Sequence, residues 1–502
     1  WRKESAAQLV DAGGIPPLLD LAKHGSCSGQ RREAVVATSH LVKASKLARA
    51  LVVAVGGVPT LVEAAEAYAL SPAAGNAAAT ALACLAHEDP EQQALIAEFG
   101  GIAPLVDMVA FACPTGREAA AAALGAVAQD AQPNRTAVFF AGGVAPLLQL
   151  ARVGNSAEQM TAVRALGNLA AECMCIQREL IEDEIAIPFF LGLASRPVLP
   201  VAGPAAIVLQ HLTCTSAQAV DLVVGGIGVL AELARCDATN DLGRMAATCT
   251  LAHLILYSRR GRMEAIEHGC APLLVALSHS AEPELKECAA AALSRLAACI
   301  ASTRRQLLKA DVAPCLVELL REENDPSPAV QVWVANAIGH LSEQNAQGQA
   351  NIAKVGGIKL LVELLVKGDA AAKQAAVYAL CQLSASNRSN QGKIIELGGI
   401  SPMAALVQTG MPAAREWAAF SLGQLAAGNM SAQCRIAKAG AIPHLVALAG
   451  GGDHKGAERA AFALSHLAAH SAANKVEIVD CGGIQPLLQL MKTNTGSGRE
   501  WA

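Results

Sequence analysis

One phrase, G-G-I-x-P-L-L, returns along the whole chain and constrains the fold more than any other feature of the sequence. Nine copies begin at a glycine and three are degenerate, and the starts are Gly13, Gly56, Gly100, Gly142, Ile185, Gly225, His268, Ala310, Gly356, Gly398, Gly440 and Gly482. Successive starts lie 40 to 46 residues apart. A period this steady predicts a stack of similar units rather than a set of unrelated globular domains.

Each copy of the phrase predicts a sharp corner between two helices. The glycine ends one helix in a left-handed conformation, and the proline fits the first turn of the next helix because its missing N–H costs no hydrogen bond there. A short apolar helix is predicted before the corner, as at 351–355, and another after it, as at 360–366. A long Ala-rich helix follows, as at 371–384. The sequence therefore predicts an all-α chain of three-helix units.

The composition fits such thin layers. Hydrophobic residues make up 53% of the chain but aromatic residues only 3%, so the core is built from short side chains. The chain has 39 basic and 43 acidic residues, a balance that excludes the basic face of a nucleic-acid-binding protein. The one dense basic run, at Arg259, Arg260 and Arg262, is expected in a solvated interhelical loop, with contact to phosphate or an acidic peptide as the alternative.

Several classes of function have no signal in the sequence. The P-loop, H-E-x-x-H and G-x-S-x-G motifs are missing, and a loose G-x-G-x-x-A at Gly226, Gly228 and Ala231 falls in a corner with no strand before it. We therefore expect no enzyme activity and no cofactor. No apolar run reaches about 18 residues without a break, so no membrane span is predicted. The 15 cysteines, an odd number with no C-x-x-C pair, favour reduced, buried thiols and a cytoplasmic location, with nuclear or cytoskeletal association also open.

Three helices in about 42 residues resemble the armadillo repeat, and the resemblance runs from end to end. It implies an armadillo-type right-handed α-solenoid whose third helices line a concave groove. The phrase starts then imply about eleven complete repeats and a truncated twelfth, in one continuous domain over 1–502.

Two regions and both ends depart from the repeat pattern. Around 182–212, acidic residues replace the glycines and the third helix begins among three prolines, at positions 197, 200 and 204, which predicts an irregular repeat with a possible kink. The longest interval contains a charged loop near 321–328, either a tolerated insertion or a binding loop. Position 1 is Trp rather than Met, and residues 499–502 match 415–418, so we expect further protein on both sides or a capping partner at the C-terminal end.

The resemblance also implies where a partner binds. In armadillo proteins that hold extended peptides, an Asn on each third helix bonds the peptide backbone, and a Trp one turn earlier packs against its side chains. Alignment by the shared A-L-x-x-L phrase places polar residues at the Asn position of eight repeats: His40, Asn168, His211, His253, His340, Gln382, Gln424 and His466.

The last three complete repeats are the most suited to a peptide. Their polar residues Gln382, Gln424 and His466 follow an aromatic residue by one turn, and these aromatic residues are Tyr378, Phe420 and Phe462. The alternative is that the rings belong to the core and the amides are merely solvated. Only one Asn and no Trp stand at the expected positions, which argues against an importin-α-like import adaptor.

The histidines suggest two further roles. A zinc site normally takes three or four protein ligands, and adjacent repeats bring together only His211 and His253, so no metal is predicted. Imidazoles that titrate near neutral pH allow a pH-sensitive groove, and ordinary packing histidines are the alternative.

The predicted function is a non-catalytic scaffold that binds protein partners or linear peptides along the groove. A substrate-recognition or regulatory arm of a larger enzyme, such as a U-box ubiquitin ligase, is the alternative. An import adaptor is the third reading, and it requires binding of Lys-rich peptides.

Overall fold

The computed structural model describes residues 8–321, 323, 326–451, 454–493 and 501. Within these residues every regular element is a helix and there is no strand, so the prediction of an all-α solenoid is confirmed. The chain divides into two compact units, Trp1–Gly261 (unit 1) and Arg262–Ala502 (unit 2). The exact number of repeats, and whether the chain forms one continuous domain, stay predictions.

Unit 1 repeats a short first helix, a short second helix and a longer third helix. The first helices are Lys46–Ala54, Pro90–Glu98, Gln132–Phe140, Met174–Glu182 and Ala217–Val223. The second helices are Ile15–His24, Val58–Glu66, Ile102–Phe111, Val144–Val153, Ala186–Ala194 and Ile227–Arg235. The third helices are Ser28–Ala44, Pro72–Ala86, Pro114–Val127, Ser156–Ala170, Ala202–Thr215 and Asp241–Tyr257. Two 3-10 turns directly follow helices of this unit: Ala67–Ala69 follows Val58–Glu66, and Val224–Gly226 follows Ala217–Val223.

Unit 2 follows the same order. Helix Arg259–Glu267 contains the boundary, and the later first helices are Ala301–Lys309, Ala346–Lys354, Arg388–Glu396, Met430–Lys438 and Ala472–Asp480. The second helices are Ala271–Ser278, Val312–Leu319, Gly357–Lys367, Ile400–Thr409, Ala441–Ala449 and Ile484–Thr493. The third helices are Pro283–Ala297, Pro328–Ser342, Ala370–Ser384, Pro412–Ala426 and His454–Ala468.

Within each unit, a third helix packs against the third helix of the next repeat and against the second helix of its own repeat. Small side chains make this close packing possible. In helix Pro72–Ala86, Ala78, Ala79 and Ala81 are fully buried together with Leu82. The Ala-rich composition therefore sets the distance between layers, since larger side chains would hold the third helices apart.

The glycine corners form largely as predicted. The first glycine of most copies is left-handed, as at Gly56 (φ 73°) and Gly398 (φ 80°). At the degenerate copy that starts at Ala310, Asp311 takes this conformation instead, with φ 51°. The left-handed cap expected at Gly225 is wrong, because the 3-10 turn Val224–Gly226 carries the chain into the next helix there.

Polar side chains of the first helices cap the third helices, a feature that the sequence analysis did not find. The amide of Asn134 donates to the carbonyl oxygen of Val127 at 2.9 Å, and the amide of Asn390 donates to that of Leu383 at 2.9 Å. Each acceptor lies seven residues before its donor, in the last turn of a third helix. These bonds satisfy carbonyl groups that a helix end leaves without a partner.

The two irregular regions have local structural causes. At 182–212 the carboxylate of Asp183 accepts hydrogen bonds from the backbone N–H groups of Ile185 and Ala186, in place of a glycine turn. Residues 195–201 form turns, and the third helix begins only at Ala202. Whether this produces a kink stays a prediction. In the charged loop, residues 322, 324 and 325 lie outside the described residues, and helix Pro328–Ser342 begins where the loop was expected to end.

Two expectations about exposed groups are corrected. The basic run at 259–262 lies in helix Arg259–Glu267 and not in an interhelical loop. The expected burial of the cysteines is wrong for six of them, which are exposed: Cys27, Cys113, Cys175, Cys214, Cys434 and Cys481.

The prediction of no membrane span is not confirmed. Over the described residues, the segment Ala217–Arg235, 19 residues long, is apolar enough to cross a membrane by length and composition alone. Half of its tested window is buried inside the protein. Three pairs of helices, bent by 82° to 91°, also have the length and composition of a membrane span if each pair is counted as one span.

Candidate binding surface

The predicted aromatic residues of unit 2 belong to a larger cluster on consecutive third helices. We call the side chains of His340, Tyr378, Trp417, Phe420, Phe462 and His466 the aromatic ladder. Each of them is partly exposed. The ladder includes Trp417, which was not predicted because it lies one turn before the position expected for an aromatic residue.

Ring contacts connect the ladder from one helix to the next. The ring centroids of His340 and Tyr378 are 5.4 Å apart, and those of Tyr378 and Trp417 are 5.0 Å apart. Phe420 and Phe462 are separated by 5.0 Å, and Phe462 and His466 by 4.6 Å. These are edge-to-face or tilted contacts, the arrangements that aromatic pairs prefer.

Arg459 joins the two halves of the ladder. Its guanidinium carbon lies 3.7 Å from the centroid of the Trp417 ring and 5.4 Å from that of Phe420. Both distances fall within the range of cation–π attraction. Neither Trp417 nor Arg459 was predicted as a site residue. Trp417 and Trp501 stand at equivalent positions of their repeats, and this recurrence could have indicated Trp417.

Two glycines of the third helices give the rings their space. A Cβ atom on Gly339 would lie 2.4 Å from the ring of Tyr378, and one on Gly423 would lie 2.6 Å from the ring of Phe462. Each glycine directly precedes a residue of the predicted polar series, His340 or Gln424. This role of the two glycines was not predicted from the sequence.

The two predicted glutamines differ in what they offer a partner. The side-chain oxygen of Gln424 accepts a hydrogen bond from the Ser384 hydroxyl at 2.8 Å and a weaker one from the Cys381 thiol at 3.9 Å, so its amino group is what remains for a partner. The side chain of Gln382 is half-buried and makes no hydrogen bond within the described part of the chain. Only Gln382 therefore keeps both the donor and the acceptor that an extended peptide backbone requires.

The histidines of the ladder are packing groups in this structure. The Tyr378 hydroxyl lies 3.0 Å from Nδ1 of His340, and burial lowers the pKa of His340. Burial likewise lowers the pKa of His466 and raises the pKa of Tyr378. The His340 ring is therefore neutral at pH 7, and its Nδ1 can accept the hydrogen bond from the tyrosine.

The predicted residues of unit 1 do not form such a cluster. His40 is exposed, and the amide of Asn168 donates to the carbonyl oxygen of Gly125 at 2.9 Å, which caps the preceding third helix. Asn168 also lines a shallow cavity of about 240 Å³, and half of the lining residues are Ala or Gly. Phe, Tyr and Trp are missing from this cavity lining.

His211 and His253 are largely withdrawn from water. Burial lowers the pKa of His211, with a smaller contribution from Arg135. Burial alone lowers the pKa of His253 to about 4. Its Nδ1 is buried and has no hydrogen-bond partner among the described residues. Both rings are neutral near pH 7, which does not favour a pH-sensitive groove in the neutral range.

Known proteins resemble this chain at the level of fold. The family model of the SIL1/FES1/HPBP1 C-terminal domain matches residues 390–498. No curated protein matches the chain.

Among solved structures, one that concerns a phosphorylation switch in the interaction between cadherin and beta-catenin is similar over 93% of this chain and 96% of its own. Its TM-score is 0.70 and its sequence identity 17%. An engineered protein matches 82% of this chain and 98% of its own, with a TM-score of 0.65 and 24% identity. A designed armadillo repeat protein is 24% identical over 48% of this chain and 99% of its own, with a TM-score of 0.44. The geometry of the three-helix layers, together with the similarity to the structure that concerns cadherin and beta-catenin, shows that the chain has the armadillo-repeat fold.

Proposed function

We propose that this chain is a non-catalytic protein-interaction scaffold that binds an extended segment of a partner protein along the aromatic ladder. The observation that carries the proposal is the ladder itself: partly exposed rings follow one another on consecutive third helices beside the amide groups of Gln382 and Gln424. The solved structure concerned with cadherin and beta-catenin supports a protein partner, because that fold takes part in a protein–protein interaction there.

The spacing of the ladder suits an extended chain. Packed helices lie about 10 Å apart, a distance that an extended backbone covers in about three residues. Side chains about three residues apart in the bound segment can then reach the rings of neighbouring third helices. The rings supply apolar contact area at low entropy cost, and the amide groups bind the backbone.

The finer expectations stay predictions. The alternatives are the regulatory or substrate-recognition arm of a larger enzyme, such as a U-box ubiquitin ligase, and an import adaptor. A cytoplasmic location and a capping partner at the C-terminal end are also untested.

Peptide display tests the proposed function. Peptides selected from a random library on the wild-type protein are titrated against the double variant Phe420→Ala, Gln424→Ala. We expect about tenfold weaker binding or more, because one ring and one hydrogen-bonding group together contribute more than about 1.4 kcal/mol.

The matched control is the double variant Phe140→Ala, Gln132→Ala, which removes the same two residue types from exposed positions of a first helix in unit 1. It should bind like the wild type. Equal binding by both double variants, or a selection that enriches no peptide, would rule out the ladder as the binding surface.

A further inference from the structure

The guanidinium of Arg459 already occupies the space beside the Trp417 and Phe420 rings, which we call the cleft. The two residues lie one turn apart on helix Pro412–Ala426, and the guanidinium of Arg459 enters from the next third helix. It lies 3.7 Å from the centroid of Trp417, which is close stacking contact. A lysine or arginine side chain of a bound segment would compete for this same ring face.

Arg459 is held there by the rings more than by polar bonds. Its Nη1 is buried without a hydrogen-bond partner among the described residues, and its Nε is 4.0 Å from a carboxylate oxygen of Glu416, a long ion pair. The side chain of Arg459 is only 21% exposed. Because the Glu416 carboxylate offsets its charge and little of the guanidinium reaches solvent, Arg459 does not create an open site for an anion.

Trp333, on the third helix Pro328–Ser342, shows a related arrangement. The guanidinium of Arg295 lies 5.6 Å from the centroid of the Trp333 ring. Away from this cleft the ladder presents the Tyr378 and Phe462 rings, and the amides of Gln382 and Gln424 follow on the same series of third helices. The surface offered to a segment is therefore apolar along these rings, with an occupied cation position beside Trp417. Charged groups lie at its His340 end, where Arg304 pairs with Glu343 and Arg295 is nearby.

We propose that Arg459 is a built-in occupant of the cation position between Trp417 and Phe420, and that the ladder therefore selects segments with uncharged, apolar side chains over basic ones. This proposal rests on the proposed function for its partner and on the Arg459 contacts for its selectivity. Arg459 is thus a specificity-determining residue: it excludes lysine and arginine from the cleft.

The experiment uses three probe peptides of equal length that alternate serine with leucine, lysine or glutamate. Each is titrated by calorimetry into the full chain and into its variants Arg459→Ala and Arg459→Gln. Removal of Arg459 opens the cleft and leaves Glu416 without this cation. We expect the lysine peptide to bind about tenfold more tightly to both variants than to the wild type. The wild type should bind the leucine peptide more tightly than the lysine or glutamate peptide.

Arg435→Ala controls for net charge, because it removes one exposed cation from a first helix of the same unit. It should leave the affinity for the lysine peptide unchanged. Circular dichroism establishes that each variant is folded, and Arg459→Gln keeps most of the side-chain bulk if Arg459→Ala does not fold.

Two results would overturn the proposal: no gain in lysine-peptide affinity in a folded Arg459 variant, or a wild type that prefers the lysine or glutamate peptide. A failure of the proposed function looks different. In that case the wild type binds none of the three peptides, while the gain for the lysine peptide on removal of Arg459 still reports on the cleft.

Discussion

At the scale of single residues, three of the eight predicted polar residues, Asn168, His340 and Gln424, bond to a neighbouring repeat. Gln424 accepts from Ser384 of the preceding third helix, and Asn168 donates to the carbonyl oxygen of Gly125 of the preceding one. Such bonds satisfy buried groups that would otherwise destabilise the stack. A residue at the peptide-binding position of an armadillo repeat is therefore not automatically available to a peptide, and its partner in the neighbouring repeat decides how much of it remains free.

His253 makes the stability of unit 1 depend on pH. Burial lowers its pKa from 6.5 to about 4. Between these pH values the unfolded chain binds a proton that the folded unit does not, so stability is fully present above pH 6.5 and falls as the pH drops. The loss is at most about 1.4 kcal/mol per pH unit, or about 2 kcal/mol between pH 6.5 and 5.

The measurement compares thermal unfolding at pH 7.5 and pH 5 in the wild type and in His253→Leu. We expect a smaller fall in the melting temperature in the variant, because it lacks the titrating ring. His40→Leu is the control, since His40 is an exposed histidine at the equivalent position of another third helix. A fall in His253→Leu as large as in the wild type would show that this ring is not responsible.

At the scale of the helix and its corner, the two adjacent glycines have different roles. Gly142 is left-handed with φ 72°, and the space beside it is open. Gly143 is not left-handed, but a Cβ atom there would lie 2.6 Å from Val138 and 3.0 Å from Val106 of the preceding second helix. The first glycine is needed for backbone conformation, and the second for the close approach of two helices.

Alanine substitutions should separate these roles. Gly142→Ala should cost about 1 kcal/mol of unfolding free energy from left-handed strain. Gly143→Ala should cost about 2 kcal/mol, because packed helices must move apart. Gly192→Ala is the control: Gly192 lies exposed within helix Ala186–Ala194 with open space around it, so alanine should stabilise by roughly 0.5 to 1 kcal/mol. Urea unfolding followed by circular dichroism measures all three, and equal losses at Gly142 and Gly143 would contradict the assignment.

At the scale of the whole molecule, helices contact one another within a layer or between neighbouring layers, and each unit carries its own core. We expect fragment 259–502, which keeps helix Arg259–Glu267 intact, to fold without the rest of the chain. Its helical circular dichroism per residue should match that of the full chain, with a cooperative thermal transition. An unfolded or molten fragment would show that unit 2 depends on unit 1.

Local chemistry explains why so much of the fold was predictable. A glycine that permits a left-handed turn, a proline in a first helical turn and a periodic apolar face each act within a few residues, so the three-helix layer follows from short segments. The failure at Gly225 is informative, because the same glycine pair continues into a 3-10 turn there. Its local sequence permits both conformations.

The recurring phrase by itself determined that the chain is all-helical, where its corners fall and which positions of each third helix share one side. Only the tertiary structure decided that Arg459 fills the cleft between Trp417 and Phe420. It also decided that the side-chain oxygen of Gln424 accepts a hydrogen bond from Ser384, and that two glycines leave space for aromatic rings. These contacts join residues about one repeat apart in the chain. They depend on how closely the helices pack, a distance that no local segment of the sequence encodes.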